Sequence, residues 1–207
     1  MSEKKLVGLV VRHGDTEVNE SNQFRGRLDP SLNAKGVAQA EKAAKNIARE
    51  HKDFVKKIVS SPMLRSVQTA DILAEELKVE VTQDRGLISW ALGFLAGKDR
   101  DEYQPILDLY IDNPKLAIPD GEALDDLETR IQEFFDKELR TEGTVYVSHN
   151  SNLVTLENLV RGNKDGRPES SETSVEPGGI IGVYVDPSGK YSTDVLFGVE
   201  KQAEYAS

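Results

Sequence analysis

The sequence predicts a layered α/β fold: a three-layer sandwich with a mainly parallel central sheet flanked by helices. Three observations carry this expectation. Short apolar runs suited to strands recur six times along the 207 residues. Segments with a helical repeat of apolar residues stand between the first four runs and after the fourth. Several of the runs are continuously apolar, as strands covered on both faces require.

The first run, "LVGLVV" (Leu6 to Val11), is followed at once by Arg12, His13 and Gly14. "NAKGVAQAEKAAKNIARE" then repeats with helical spacing and predicts an apolar face of Val37, Ala40, Ala44 and Ile47. "KIVSS" (Lys57 to Ser61) is the second strand. "PMLRSVQTADILAEEL" is the next helix, with Pro62 suited to its first turn. "VEVTQ" (Val79 to Gln83) is a third strand. Leu87 to Glu122 breaks the alternation and predicts an inserted helical cap. "ALDDLETRIQEFFDKEL" follows as a helix with Leu124, Leu127, Ile131, Phe134 and Phe135 as its stripe. "TVYVSH" (Thr144 to His149) leads directly into the helix "SNLVTLENLV". The polar "RGNKDGRPESSETSVEPGG" predicts a surface loop, with Gly178-Gly179 turning into the next strand. "GIIGVYVD" and "TDVLFGV" predict an antiparallel hairpin closed at "DPSGK". No repeat or linker interrupts this order, so residues 1–207 are expected to form a single domain.

Composition narrows the function. The chain is 38% apolar and 30% charged, which suits a soluble globular protein. A net charge of -10 argues against nucleic acid and against an anionic membrane surface as partners. An anionic ligand is still admissible where the site is locally basic. With no cysteine, disulfides and thiolate chemistry are absent. "MSEKKLVGLVV" does not read as a secretory leader, and no run is long enough to span a bilayer, so the cytoplasm is the default location. Oligomeric state is left open.

Ligands of open α/β sheets sit beyond the carboxyl ends of the strands. The first predicted strand ends at Arg12-His13, the fourth at Ser148-His149-Asn150, and Arg65 opens the helix after the second. Two of the three histidines therefore end strands, while His51 lies in the charged "REHKDF" and is expected to be exposed. Two guanidiniums can clamp a phosphoryl group without losing charge. A neutral imidazole between them can attack phosphorus. Helix N-termini at Arg65 and Asn150 would add backbone donors.

These residues lie in three ordered motifs, "RHGDTEVN" running on into "QFRGRLDPSLNAKG", then "SSPMLRSVQTA", then "VYVSHNSNL". In them the chain, from about Leu6 to Val199, resembles the histidine phosphatase superfamily, in its phosphoglycerate mutase-like branch. The resemblance implies that His13 is a phosphohistidine nucleophile and that Arg12, Arg65 and His149 complete the phosphate pocket. It implies that Asn19 contacts the phosphoryl group, that Gly26 and Asn150 approach the ligand through the backbone, and that neither metal nor cofactor is needed. The partner would be a small phosphate ester and the reaction its hydrolysis. The alternatives are a phosphoglycerate mutase-like phosphotransferase, a phosphohistidine protein phosphatase, or a catalytically weak module that binds a phosphometabolite. A mutase is less favoured, because the chain is short and the cap offers no paired arginines.

The departures from the family pattern are informative. In "GLISWALGFLAGKD", Ser89 stands where the family has a general-acid Glu. Serine cannot supply a proton as a carboxylic acid does, a loss typically worth about 10²–10⁴ in rate. Glu122 in "IPDGEALDDLETR" is the leading substitute, with Asp99, Asp101 and Glu102 behind it; Asp15 is expected to point away. Arg25 stands where Thr or Gln is usual and would add positive charge at the mouth for a second anionic group. Asn150 replaces a usual Gly, at a turn expected to be left-handed. Arg27 is expected to be solvated, and Trp90 to pack either in the cap or against substrate.

Overall fold

The computed structural model describes residues 4–139, 141–162 and 175–199. Six strands form one sheet in the order β3-β2-β4-β1-β5-β6. They are β1 (Lys5–Arg12), β2 (Lys57–Ser60), β3 (Glu80–Gln83), β4 (Thr144–Ser148), β5 (Val175–Val185) and β6 (Tyr191–Val199). The helices are α1 (Glu17–Glu20), α2 (Ala34–Glu50), α3 (Leu64–Leu77), α4 (Arg100–Asp112), α5 (Leu124–Glu138) and α6 (Asn150–Arg161). β1 to β4 run parallel; β5 pairs antiparallel with β1 and with β6. The fold is the expected α/β sandwich, and the final hairpin turns at residues 186–190.

The sheet separates two apolar layers, and strand residues alternate between them. Leu9, Val11, Val145, Val147 and Ile180 face one layer, with Ala40, Ala44 and Ile47 of α2 and Ala70 and Leu73 of α3. Val10, Tyr146, Ile181 and Val183 face the other, with Leu127, Ile131, Phe134 and Phe135 of α5 and Leu153 of α6. In that second layer Phe134, Phe135 and Tyr146 meet edge to face, with centroids 5.1–5.7 Å apart. This geometry suits the aromatic quadrupole.

Local expectations need four corrections. Val37 of α2 is 38% exposed, and Gly36 and Ala43 are buried instead. The close approach of α2 to its neighbours admits only small side chains there. Pro62 precedes the cap of α3 at Met63 and lies outside the helix. Gly178 and Gly179 lie within β5, at a register shift between Val175 and Ile180, and Gly178 takes φ 81°. The segment "VEPGG" is thus strand, not loop, and at the other end of that predicted loop Arg161 closes α6 and Gly162 caps it; residues 163–174 lie outside the described residues. His51 caps the carboxyl end of α2 and is half-buried. Residues 87–122 hold one α-helix, α4, and the 3-10 turn Gly93–Leu95. Asp99 caps α4 by accepting from the N–H groups of Asp101 and Glu102. Among the described residues, no helix is long and apolar enough to cross a membrane.

Candidate active site

The parallel register of β1 and β4 sets Arg12 opposite Ser148. The next residue of each chain segment is a histidine, and the His13 N–H donates to the Ser148 carbonyl at 3.0 Å. The two rings therefore meet at the same sheet edge, with centroids 5.2 Å apart. β2 is in register with β4 on the other side, and the Ser61 N–H donates to the Val147 carbonyl at 2.9 Å. Past His13 the chain lies against the first turn of α2. A Cβ on Gly14 would lie 2.3 Å from the Gly36 carbonyl oxygen, and one on Gly36 2.1 Å from the Asp15 oxygen. Only glycine at both positions allows this approach.

Hydrogen bonding fixes the tautomers. His13 Nδ1 lies 2.6 Å from the Gly14 carbonyl, which can only accept. Nδ1 therefore carries the proton and Nε2 the lone pair. Arg65 Nε and Arg25 Nη1 both donate to Nε2 at 3.1 Å. His149 Nδ1 accepts from Arg65 Nη2 at 3.2 Å, so its Nε2–H donates to Ser61 Oγ at 2.8 Å. Burial holds both imidazoles well below their usual pKa, and the cations of Arg65 and Arg25 add to the effect. Both are neutral at pH 7.

Arg65 is 1% exposed. Besides the two histidines it donates to the carbonyls of Leu28 at 2.7 Å and Gly26 at 3.2 Å, and it lies 3.6 Å from Asp29. Burial brings it down to about 10, against the attraction of Asp29. Arg25 is brought down to about 9, first by burial and then by Arg65, Arg12 and Arg100. Both still carry their charge at neutral pH. Arg12 Nη1 donates to the Val175 carbonyl at 2.6 Å.

These groups line a cavity of about 440 Å³. Of the residues named from sequence, it gathers Arg12, His13, Asn19, Arg25, Gly26, Arg65, Ser89, His149 and Asn150. Asn19 Oδ1 accepts from the Thr16 N–H and hydroxyl, leaving its amide protons as its remaining donors. Gly26 has φ 51°, and a Cβ there would press on Leu92. Its carbonyl accepts from Arg65, so besides lining the cavity it holds the clamp. Asn150 is the first residue of α6, whose leading N–H groups have no partner within the helix. It is not left-handed, contrary to expectation; among the described residues the positive-φ non-glycine ones are Asn22, Lys78 and Asp120. The strand-to-helix junction at His149 is extended and then helical, so it makes no demand for glycine.

Glu122 does not reach the cavity. Arg130 grips it bidentately, with Nε 3.1 Å from Oε1 and Nη2 3.0 Å from Oε2. Arg27 Nη2 at 3.2 Å and the Ala91 N–H at 3.3 Å add two more donors. A carboxylate so engaged is a structural tie, and its expected place as proton donor is corrected. Arg27 belongs to this tie and also donates to the Ser89 carbonyl at 3.0 Å. Asp15 pairs with Lys35 at 2.7 Å, turned away as expected. Trp90 is 4% exposed; it lines the cavity and donates to the Glu122 carbonyl at 3.1 Å. No Asp or Glu lines the cavity among the described residues.

Two participants escaped the sequence reading. Arg100, the first residue of α4, lines the cavity, donates to the Gln23 carbonyl at 3.3 Å and stacks 5.1 Å from the Phe24 ring. Nothing local distinguishes it from the other cap charges. Ser61, whose Oγ accepts the His149 Nε2–H, had a signal in the "SSP" of the second motif.

Guanidinium groups around a neutral ring nitrogen define a class of protein, the enzymes that move phosphoryl groups. Residues 9–173 match the histidine phosphatase superfamily (branch 1), and the chain belongs to that superfamily; it is a phosphatase acting on phosphate monoesters. It is 30% identical over 150 residues to phosphoserine phosphatase 1 of Hydrogenobacter thermophilus, covering 68% of this chain and 69% of that one. It is 31% identical over 169 residues to a 2,3-bisphosphoglycerate-dependent phosphoglycerate mutase of Afipia carboxidovorans, covering 75% and 80%. Its fold matches a mycobacterial glucosyl-3-phosphoglycerate phosphatase with a TM-score of 0.75 at 19% identity, over 97% of this chain and 100% of that one.

Proposed function

We propose that hydrolysis runs through a phosphohistidine formed on His13 Nε2. One observation carries this reading. The neutral imidazole presents its lone pair between Arg65 Nε and Arg25 Nη1, each 3.1 Å away. An arriving phosphoryl group draws Arg65, together with Arg12 and the Asn19 amide, onto its oxygens, and Arg25 turns away from the nitrogen toward the rest of the anionic substrate. That frees the lone pair to attack phosphorus. The bond from phosphorus to the leaving oxygen breaks, and its electron pair departs with that oxygen. Water then attacks the phosphorus–nitrogen bond, releasing orthophosphate and restoring His13. Asn150, with the start of α6, contributes backbone dipoles to the same oxygens. Ser89 stands on the leaving-group side as a polar wall without an acidic proton. The partner in this reading is a small cytoplasmic phosphate ester.

The test is chemical trapping. Enzyme mixed with an aryl phosphate and denatured in base should carry a phosphate that is stable in alkali and lost in acid. His13→Ala should abolish the label and reduce turnover by about 10³ or more. Full turnover by His13→Ala would overturn the reading.

A further inference from the structure

The cavity holds more positive charge than one phosphoryl group uses. Arg12, Arg25, Arg65 and Arg100 all line it, with no carboxylate among the described lining residues. Arg65 has Asp29 at 3.6 Å. Arg25 and Arg100 meet no carboxylate at ion-pair distance among the described residues, and Arg25 Nε is buried without an acceptor. A buried donor with nothing to bind is costly and, in a cavity, marks where a ligand atom belongs.

A second deficit is independent of the first. Ser89, which has no acidic proton, lines the cavity where the family pattern has a glutamate, Glu122 is bound into the Arg130 tie, and Asp99 is consumed in capping α4. Both imidazoles give their lone pairs to arginine, and their protons point to Gly14 and Ser61. The cavity thus surrounds its ligand with cations but supplies no acidic proton to a departing oxygen.

An alkyl phosphate with a distant carboxylate would engage the extra guanidiniums but still leave as an alkoxide. A neutral aryl phosphate would leave easily but engage nothing at Arg25 and Arg100. A phosphoanhydride meets both conditions with a single group. We infer that this site cleaves phosphoanhydrides: the leaving group is itself a phosphate, received by Arg25 and Arg100. This rests on the phosphohistidine reading above. His13 Nε2 bonds to the terminal phosphorus, and the bond to the bridging oxygen breaks. That oxygen keeps the electron pair and departs as part of a phosphate anion, with no proton from the protein. Water then cleaves the phosphorus–nitrogen bond. The sum is one diphosphate and one water giving two phosphates, or a phosphate and a phosphomonoester. Arg25 loses its contact with His13 as it turns to the leaving phosphate, so departure and exposure of the lone pair are coupled.

The experiment compares kcat/KM for inorganic pyrophosphate, adenosine diphosphate, p-nitrophenyl phosphate and glycerol phosphate on the intact protein. A diphosphate should exceed glycerol phosphate by at least about 100-fold. Whichever of the two diphosphates is faster identifies a free or an organic source. Arg100→Gln should lower the ratio of diphosphate to p-nitrophenyl phosphate turnover at least about tenfold. Arg25→Thr provides the second test, and its ratio should fall in the same direction. Turnover of p-nitrophenyl phosphate with diphosphates no better than glycerol phosphate would overturn this inference and leave the phosphatase reading standing. So would ratios unchanged in both variants. Absence of both p-nitrophenyl phosphate turnover and a phosphohistidine would overturn the two together.

Discussion

Glu122→Gln removes one oxygen from a carboxylate that accepts four N–H bonds, two from Arg130 and one each from Arg27 and Ala91. The remaining carbonyl oxygen can keep about two of these. The new amide N–H₂ faces guanidinium donors, so at least two charge-assisted bonds are lost and replaced by donor–donor contact. Such bonds contribute about 1.5–3 kcal/mol each, and breaking a fully buried ion pair costs about 3–5 kcal/mol. The pair is not fully buried, since the Glu122 and Arg130 side chains are 14% and 20% exposed. The expected cost is therefore about 2–3 kcal/mol. With a urea dependence of about 2–3 kcal/mol per molar, the midpoint should fall by about 1 M. Trp90 is the only tryptophan and bonds the Glu122 carbonyl, so its fluorescence should follow the loss. Turnover per folded molecule should stay within about threefold for every leaving group. The opposite pattern would refute this reasoning. An unchanged midpoint, with a loss of about 10²–10⁴ confined to alkyl phosphates, would make Glu122 the proton donor after all.

Stability should depend on pH through the buried histidines. Their folded pKa values lie below the unfolded value, so below about pH 6.5 the unfolded chain binds protons that the folded one refuses. Stability is thus intact above that pH and falls beneath it, by about 1.4 kcal/mol per pH unit for each group; urea midpoints at pH 7.5 and 5.5 should converge more in His13→Ala than in wild type. Gly36→Ala should destabilise by about 1–3 kcal/mol and slow turnover, because its methyl meets the Asp15 carbonyl beside the nucleophile; a thermal midpoint within a degree of wild type would contradict the contact. Ser89→Glu should raise the alkyl phosphate rate about tenfold or more, read against leaving-group pKa, and a slope identical to wild type would remove Ser89 from the leaving-group side. Orthophosphate or vanadate should inhibit competitively and raise the thermal midpoint, an effect expected to vanish in Arg65→Ala.

Much of this was legible because parallel strands bring consecutive motifs to one edge. Arg12-His13 and Ser148-His149 each end an apolar run, and the register that pairs those runs also pairs the histidines. The α5 stripe was visible because its apolar residues fall at helical spacing. Glu122 was misread because a sequence shows a carboxylate and not the guanidinium that claims it. Arg130 lies eight residues on, two turns into α5, where it resembles any exposed helix charge. Arg100 was missed for the converse reason: its significance comes from the cap folding over Phe24, a tertiary contact without a local pattern. Asn150 was assigned a turn by analogy, whereas the backbone there passes directly from extended to helical.

The several bonds of Arg65 carry a practical consequence. It fastens the loop through Gly26, Leu28 and Asp29 to α3 and to the two histidines. Removing it to silence the enzyme would also unmoor the wall that shapes the cavity. His13 holds the wall only through Arg25 and Arg65, and without it Arg65 keeps its loop contacts and its bond to His149. A trapping reagent that captures the natural ligand from an extract should therefore be built on His13→Ala, which leaves the receptor standing while the reaction stops.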